Sequence, residues 1–161
     1  MRVLTFTLRP RRIGRPNTGG PRKDASTTMR SQKDVEAYLG RMNRKFSHVD
    51  DQPGTFLISP DDPKLPAIAL RVDPPLVVLR VRVGEVPKDG HLHVELYRRM
   101  LTLNAKTLVH ASFGLEDQSI VLCAALELEN LDYNELEATV DEIDVTLVQQ
   151  VGNLAELSKK D

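Results

Sequence analysis

Residues 79 to 83 read Leu79-Arg80-Val81-Arg82-Val83, and this strict alternation leaves the backbone few options. Successive side chains of a strand point to opposite faces, so Leu79, Val81 and Val83 share one face and both arginines share the other. A sheet with one buried and one wet face follows, which is the habit of antiparallel rather than parallel sheets. Two strand-like runs come first, one around Phe56-Leu57-Ile58 after Pro53-Gly54 and one from Ala67 to Val72. Pro74-Pro75 must break the ladder between Val72 and the run from Leu76 to Val83, since proline cannot donate to it. Further on, Val109 to Phe113 and Ser119 to Leu128 read as a hairpin joined through Gly114-Leu115-Glu116-Asp117-Gln118.

Three helical segments surround these strands. Ser31 is a candidate N-cap, followed by Val35, Tyr38, Leu39, Met42 and Phe46 in one stripe, which predicts a helix over roughly residues 31–46. The helix expected from Leu92 to Ala105 is different. Leu92, Leu96, Met100 and Leu103 form one apolar face, while Val94, Tyr97, Leu101 and Ala105 form a second about 140° away at about 100° per residue. Such a helix needs two packing partners, one of them its own sheet. A second copy of the chain would supply the other, with Tyr97, Leu101, Val94 and Ala105 as the interface. The last helix starts at Asp132, with Glu135 three residues on as in a capping box and Leu131 placed to staple against Leu136. Tyr133, Leu136, Val140, Ile143, Leu147, Val151 and Leu154 make its single stripe. The expected order is therefore helix, three strands, helix, two strands, helix, an α+β layer with an antiparallel sheet.

Composition narrows the class. With 40% apolar and 28% charged residues the chain of 161 is globular, with room for one core. Its longest wholly apolar runs, such as Leu76-Val77-Val78-Leu79, are far below the roughly 20 residues of a bilayer span. Arg9, Arg11 and Arg12 interrupt the short apolar patch at the start before a signal-peptide core is built, so no export is expected. The single cysteine, Cys123, cannot pair within the chain; in Ile120-Val121-Leu122-Cys123-Ala124-Ala125 it reads as a small buried apolar residue, suited to a reducing cytoplasm.

The net charge of −1 conceals an asymmetry. Residues 1–30 carry eight Lys or Arg against one acid, Asp24, and sum to +7, so the other 131 residues, with 22 acids and 14 bases, sum to −8. The first 30 residues read as a disordered basic leader, and residues 31–161 as one folded domain. The alternative is that translation starts at Met29 and the leader is not translated.

No phosphate-binding glycine loop, nucleophile elbow or paired-cysteine metal signature is present in the sequence. His91 and His93 fall at a helix start, where positions i and i+2 do not share a face, and so do not read as metal ligands. His48 and His110 have no neighbouring Ser or Cys to mark a nucleophile, and His110 reads as an outward strand position. Neither an enzyme nor a cofactor is expected. Arg71, Arg80 and Arg82 could project together from the wet sheet face, opposite the acidic last helix, as a site for an anionic group; ordinary solvated or ion-paired surface is the plainer account.

The segments Leu96-Tyr97-Arg98-Arg99-Met100-Leu101-Thr102-Leu103-Asn104, His110-Ala111-Ser112-Phe113-Gly114-Leu115 and Leu126-Glu127-Leu128-Glu129-Asn130-Leu131-Asp132 resemble the YbjN and CesT-like group, the type III secretion chaperone-like proteins. The resemblance covers about residues 31–155 and excludes the leader. It implies a small homodimeric domain of the order read above, without a cofactor or catalytic residue. Classical members hold an unfolded segment of a secreted effector in the cytoplasm; YbjN-like members are linked to regulation and stress responses. Three functions follow as expectations: a chaperone-like module for an extended polypeptide, a regulatory scaffold for a folded partner, and, least favoured, a nucleic-acid-associated protein using the leader.

The leader offers no periodic apolar face to bury. A chain beginning at Met29 is expected to keep the thermal midpoint of the full chain. A fall of several degrees, equivalent to more than about 1 kcal/mol, would show that the leader packs.

Overall fold

The computed structural model describes residues 29–88 and 90–159; the expected leader up to residue 28 lies outside the described residues. Helix α1 (Gln32–Arg41) begins at Ser31, whose hydroxyl accepts from the Asp34 N–H at 3.4 Å while Asp34 Oδ2 accepts from the Ser31 N–H at 2.7 Å. Val35 and Leu39 are fully buried, as their stripe requires. The helix ends earlier than expected, because Asn43 takes a left-handed φ of 54°, which no helix can continue through. Phe46 therefore does not lie on the helical stripe. It opens an additional strand, β1 (Phe46–His48), and its ring meets that of Phe56 edge-on at 6.0 Å.

Four strands rather than three thus precede the second helix: β1, β2 (Thr55–Ile58), β3 (Ile68–Asp73) and β4 (Leu76–Glu85). Helix α2 (Gly90–Lys106), strands β5 (Ser112–Glu116) and β6 (Ser119–Glu127), and helix α3 (Tyr133–Lys159) complete the chain. All strands pair antiparallel in the order β1-β2-β3-β4-β6-β5. The α+β architecture is the expected one, with one strand more. Gly54, at φ 79°, lets the β2 backbone close on β3: its carbonyl accepts from the Val72 N–H at 2.8 Å, and a Cβ there would sit 3.1 Å from the Val72 oxygen.

The fifth strand starts three residues later than expected. Val109, His110 and Ala111 give their N–H groups to a side chain of α3, described below, so they cannot join a ladder. Gly114 and Leu115 belong to the strand, and the turn tightens to Asp117-Gln118, with Asp117 at φ 53°.

All three helices lie on one side of the sheet. Helix α3 crosses β4 and β6, α2 packs against β5, and α1 leans on α3. Leu136, Val140, Ile143 and Leu147 are buried along α3 against Leu79, Val81, Ile120 and Leu122. Each such side chain contributes roughly 1.5–3 kcal/mol relative to exposure. Thr139 and Thr146, also buried on α3, donate to the carbonyls of Glu135 and Glu142 at 2.8 and 2.7 Å and so satisfy themselves within the helix. The opposite sheet face carries Ala69, Arg71, Val78, Arg80, Arg82, Val121 and Cys123 with no helix over them among the described residues. Cys123 is thus half-buried on this bare face, opposite Arg80, rather than in the core.

At the start of α3, Asp132 Oδ1 accepts from the Glu135 N–H at 2.8 Å, and Leu131 and Leu136 are both fully buried. Among the described residues the reciprocal bond from Glu135 is absent, so the cap acts in one direction, unlike that of Ser31. Asp132→Ala is expected to cost about 0.5–2 kcal/mol in chemical denaturation. An unchanged midpoint would mean that the cap contributes nothing.

Candidate functional site

The two edges of the sheet are finished differently, and this distinguishes the molecule's possible contact surfaces. At the β5 edge the side chain of Asn104 on α2 imitates a neighbouring strand: its Oδ1 accepts from the Phe113 N–H at 2.8 Å, and its Nδ2 donates to the Phe113 carbonyl at 3.0 Å. An exposed edge invites pairing with another chain, and here the helix occupies the pairing groups of Phe113.

At the other edge no strand pairs with β1 among the described residues. The Ser59 N–H donates to the Lys45 carbonyl at 2.8 Å and the Val49 N–H to the Thr55 carbonyl at 3.1 Å, so Lys45, Ser47 and Val49 turn their backbone groups toward β2. By alternation, the N–H and C=O of Phe46 and His48 face outward. Helix α1 flanks this edge, with the His48 ring nitrogen 3.0 Å from Glu36 Oε1. Arg44, just before β1, pairs with both Asp141 and Asp144 of α3 and ties the edge to the helix layer.

Helix α2 divides as its sequence suggests. Leu96 and Met100 are buried, whereas Val94 is 73% and Leu101 66% exposed, Ala105 is exposed and Tyr97 is half-buried. These four, with Arg98 and Thr102, line a shallow depression on the outer side of the helix. What fixes α2 is Glu142 of α3. Its carboxylate accepts the N–H groups of Val109, His110 and Ala111 at 2.8, 2.7 and 2.8 Å, clamping the chain just after the helix. Burial raises the Glu142 pKa, but the three donors lower it by more, and the result lies below the ordinary glutamate value. In the sequence Glu142 was one of several acids off the α3 stripe, and no signal separated it from solvated charges; Asn104 was equally anonymous.

Arg71, Arg80 and Arg82 do share the bare sheet face. Arg80 bonds Glu116 at 2.8 Å and Arg82 bonds Glu85 at 2.6 Å, both exposed pairs of small energetic weight. Arg71 has no ion-pair partner among the described residues. His110 lies in the loop held by Glu142 rather than on a strand, and His93 donates to the Pro87 carbonyl at 2.5 Å. Among the described residues no group of three or more His, Cys, Asp or Glu could hold a metal ion, and no helix is long and apolar enough to cross a membrane.

The family model CesT_Tir_1 matches residues 28–160. The chain belongs to that family, the type III secretion chaperones. Its fold is similar to a chain of the heterodimeric complex ExoU–SpcU from the type III secretion system of Pseudomonas aeruginosa, with a TM-score of 0.59, 16% identity, and 79% of this chain and 99% of that one covered. YbjN from E. coli, a candidate transcription regulator, matches with a TM-score of 0.57, 12% identity, and 80% and 96% covered. A chain of the HopA1–SchA chaperone–effector complex matches with a TM-score of 0.53, 14% identity, and 78% and 94% covered. No characterised protein matches the sequence significantly.

Glu142→Gln should cost about 1.5–3 kcal/mol at neutral pH, the usual range for hydrogen bonds to a charged group. Because folding lowers the Glu142 pKa, its stabilisation is complete above the ordinary glutamate range and is lost as pH falls through the lowered folded-state value. The variant should therefore lose less stability than the unmodified chain between neutral and acid pH. Parallel curves in acid denaturation would remove Glu142 from this role.

Proposed function

We propose that this member of the family is a non-catalytic, chaperone-like module that acts in the cytoplasm and holds an extended segment of another polypeptide along the free edge of β1. The observation that carries the reading is the asymmetry of the sheet: Asn104 occupies one edge, while the outward backbone groups of Phe46 and His48 at the other are unpaired among the described residues. Main-chain pairing at such an edge supplies affinity without demanding a particular partner sequence, and nearby side chains then select. The complexes among the structural relatives, including a chaperone with its effector, support a polypeptide as the partner.

The same module works as a homodimer joined through the outer face of α2. Val94 and Leu101 are large apolar residues left mostly exposed on one helix, and apolar patches on soluble proteins usually mark contact sites. Tyr97 at the rim can bury its ring while keeping its hydroxyl wet.

Two measurements test the reading. Sedimentation velocity at micromolar concentration should give a dimer, and Leu101→Asp a folded monomer; a monomeric unmodified chain would sink the dimer. His48→Pro blocks the outward edge without removing a β1–β2 bond. It should abolish binding of fluorescently labelled, reduced and carboxymethylated α-lactalbumin while lowering the thermal midpoint little more than His48→Ala, which loses the same ring contacts with Glu36 and Phe56. Undiminished binding would place the polypeptide elsewhere.

A further inference from the structure

The bare face of the sheet contains a buried polar group that the proposed function leaves without a role. Thr55 on β2 is only 7% exposed, and its hydroxyl has no hydrogen-bond partner among the described residues. Buried hydroxyls are almost always paired, so an unpaired one needs a reason. Thr55 stands directly across from Arg71 of β3, which stands across from Val78 of β4, so the three form one row over the bare face. With Gln52, Ala69 and Arg80 they line a recess beside the β1 edge.

We propose that this recess takes the carboxylate side chain of an acidic residue in the bound polypeptide. The chemistry of the lining points to that group. Arg71 offers a planar guanidinium without an ion-pair partner, the geometry that pairs bidentately with a carboxylate. Thr55 supplies a hydroxyl donor already desolvated and Gln52 an amide donor, while Ala69 and Val78 give an apolar floor for the methylenes of a Glu or Asp stem. Asp73 also lines the recess, and Arg80 is already paired with Glu116, so Arg71 is the one guanidinium of the recess without an ion-pair partner among the described residues. A single unpaired guanidinium can meet one carboxylate but leaves a phosphate dianion under-neutralised, so the acid of a polypeptide is favoured over a phosphoryl group.

The inference rests on the polypeptide-binding reading and adds a selectivity rule to it. The Val49 N–H donates to the Thr55 carbonyl, so the recess begins one strand in from the open edge. A segment paired with β1 would reach it after crossing roughly two strand spacings, about 10 Å or three extended residues. Acidic residues a few positions beyond the paired segment would therefore mark preferred partners.

The test uses the full chain, ¹⁵N-labelled, titrated with N-acetylglutamate α-methylamide, with its glutamine counterpart, and with inorganic phosphate. The glutamate compound should give saturable shifts confined to the Thr55 amide, the Arg71 side chain and their neighbours, and the glutamine compound none. Thr55→Val and Arg71→Gln should each weaken that binding by about tenfold or more. Thr55→Val should do so without lowering the thermal midpoint, because it replaces an unpaired hydroxyl by a methyl of similar shape. Equal shifts with the glutamine compound, tighter binding of phosphate, unaltered affinity in Thr55→Val, or a lowered midpoint in that variant would each overturn the assignment. His48→Pro should leave binding of the small carboxylate intact, so failure at the β1 edge and failure at the recess are separable.

Discussion

Three consecutive N–H groups, those of Val109, His110 and Ala111, converge on the single carboxylate of Glu142. Much of the geometry that matters for function descends from this contact. Helix α3 is anchored to the sheet by apolar burial, which is strong but has no direction. A carboxylate accepting three short hydrogen bonds does have direction. It sets where the chain leaves α2, whose buried Leu96 and Met100 already decide which side meets the core. It also delays the start of β5 to Ser112, which places Phe113 within reach of Asn104. The exit of α2 and the occupied edge of β5 both lie next to that clamp.

The architecture was legible from side-chain periodicity because periodicity records burial. The alternation through Leu79–Val83, the stripe of α3 and the two faces of α2 survive in the structure, since each follows from which residues leave water. Ser31 and Asp132 were legible for a different reason: their cap chemistry is local and needs no knowledge of the rest of the chain. Where expectation and structure part, a single backbone or side-chain event decided the outcome. Asn43 in a left-handed conformation ends α1 and frees Phe46 to begin a strand, although Phe46 sits at helical spacing. Glu142 withdraws Val109–Ala111 from a strand that their composition favours. Asn43 left a faint signal, since asparagine is one of the few residues that readily take that conformation and end a helix, whereas Glu142 joins positions about 30 apart and left none.

The candidate site divides in the same way. The arginines of the bare face and the apolar residues of α2 were visible as faces of periodic elements. The open backbone of β1 was not, since an edge is a property of the assembled sheet and not of a strand. Thr55 was invisible as well: an isolated threonine at a strand start says nothing of whether its hydroxyl finds a partner. The two surfaces lie on opposite aspects of the chain's layers, α2 on the helical side and the arginine row on the other, so occupying one does not obstruct the other.

The buried threonines of α3 carry a further implication. Thr139 and Thr146 donate to carbonyls of their own helix, so these polar groups in the core ask nothing of the sheet beneath them. An interface made by interlocking hydrogen bonds would fix the helix in a single position, and any drift would leave donors stranded. Here the sheet side of α3 is a dispersive contact, and the helix is fixed from its flanks instead, by Glu142 on the loop after α2 and by Asp141 and Asp144 on Arg44. Core side chains beneath the helix can therefore change size without leaving a polar partner stranded. A fold shared with proteins of 12–16% identity at TM-scores of 0.53–0.59 is what repeated small adjustments of this kind would leave behind.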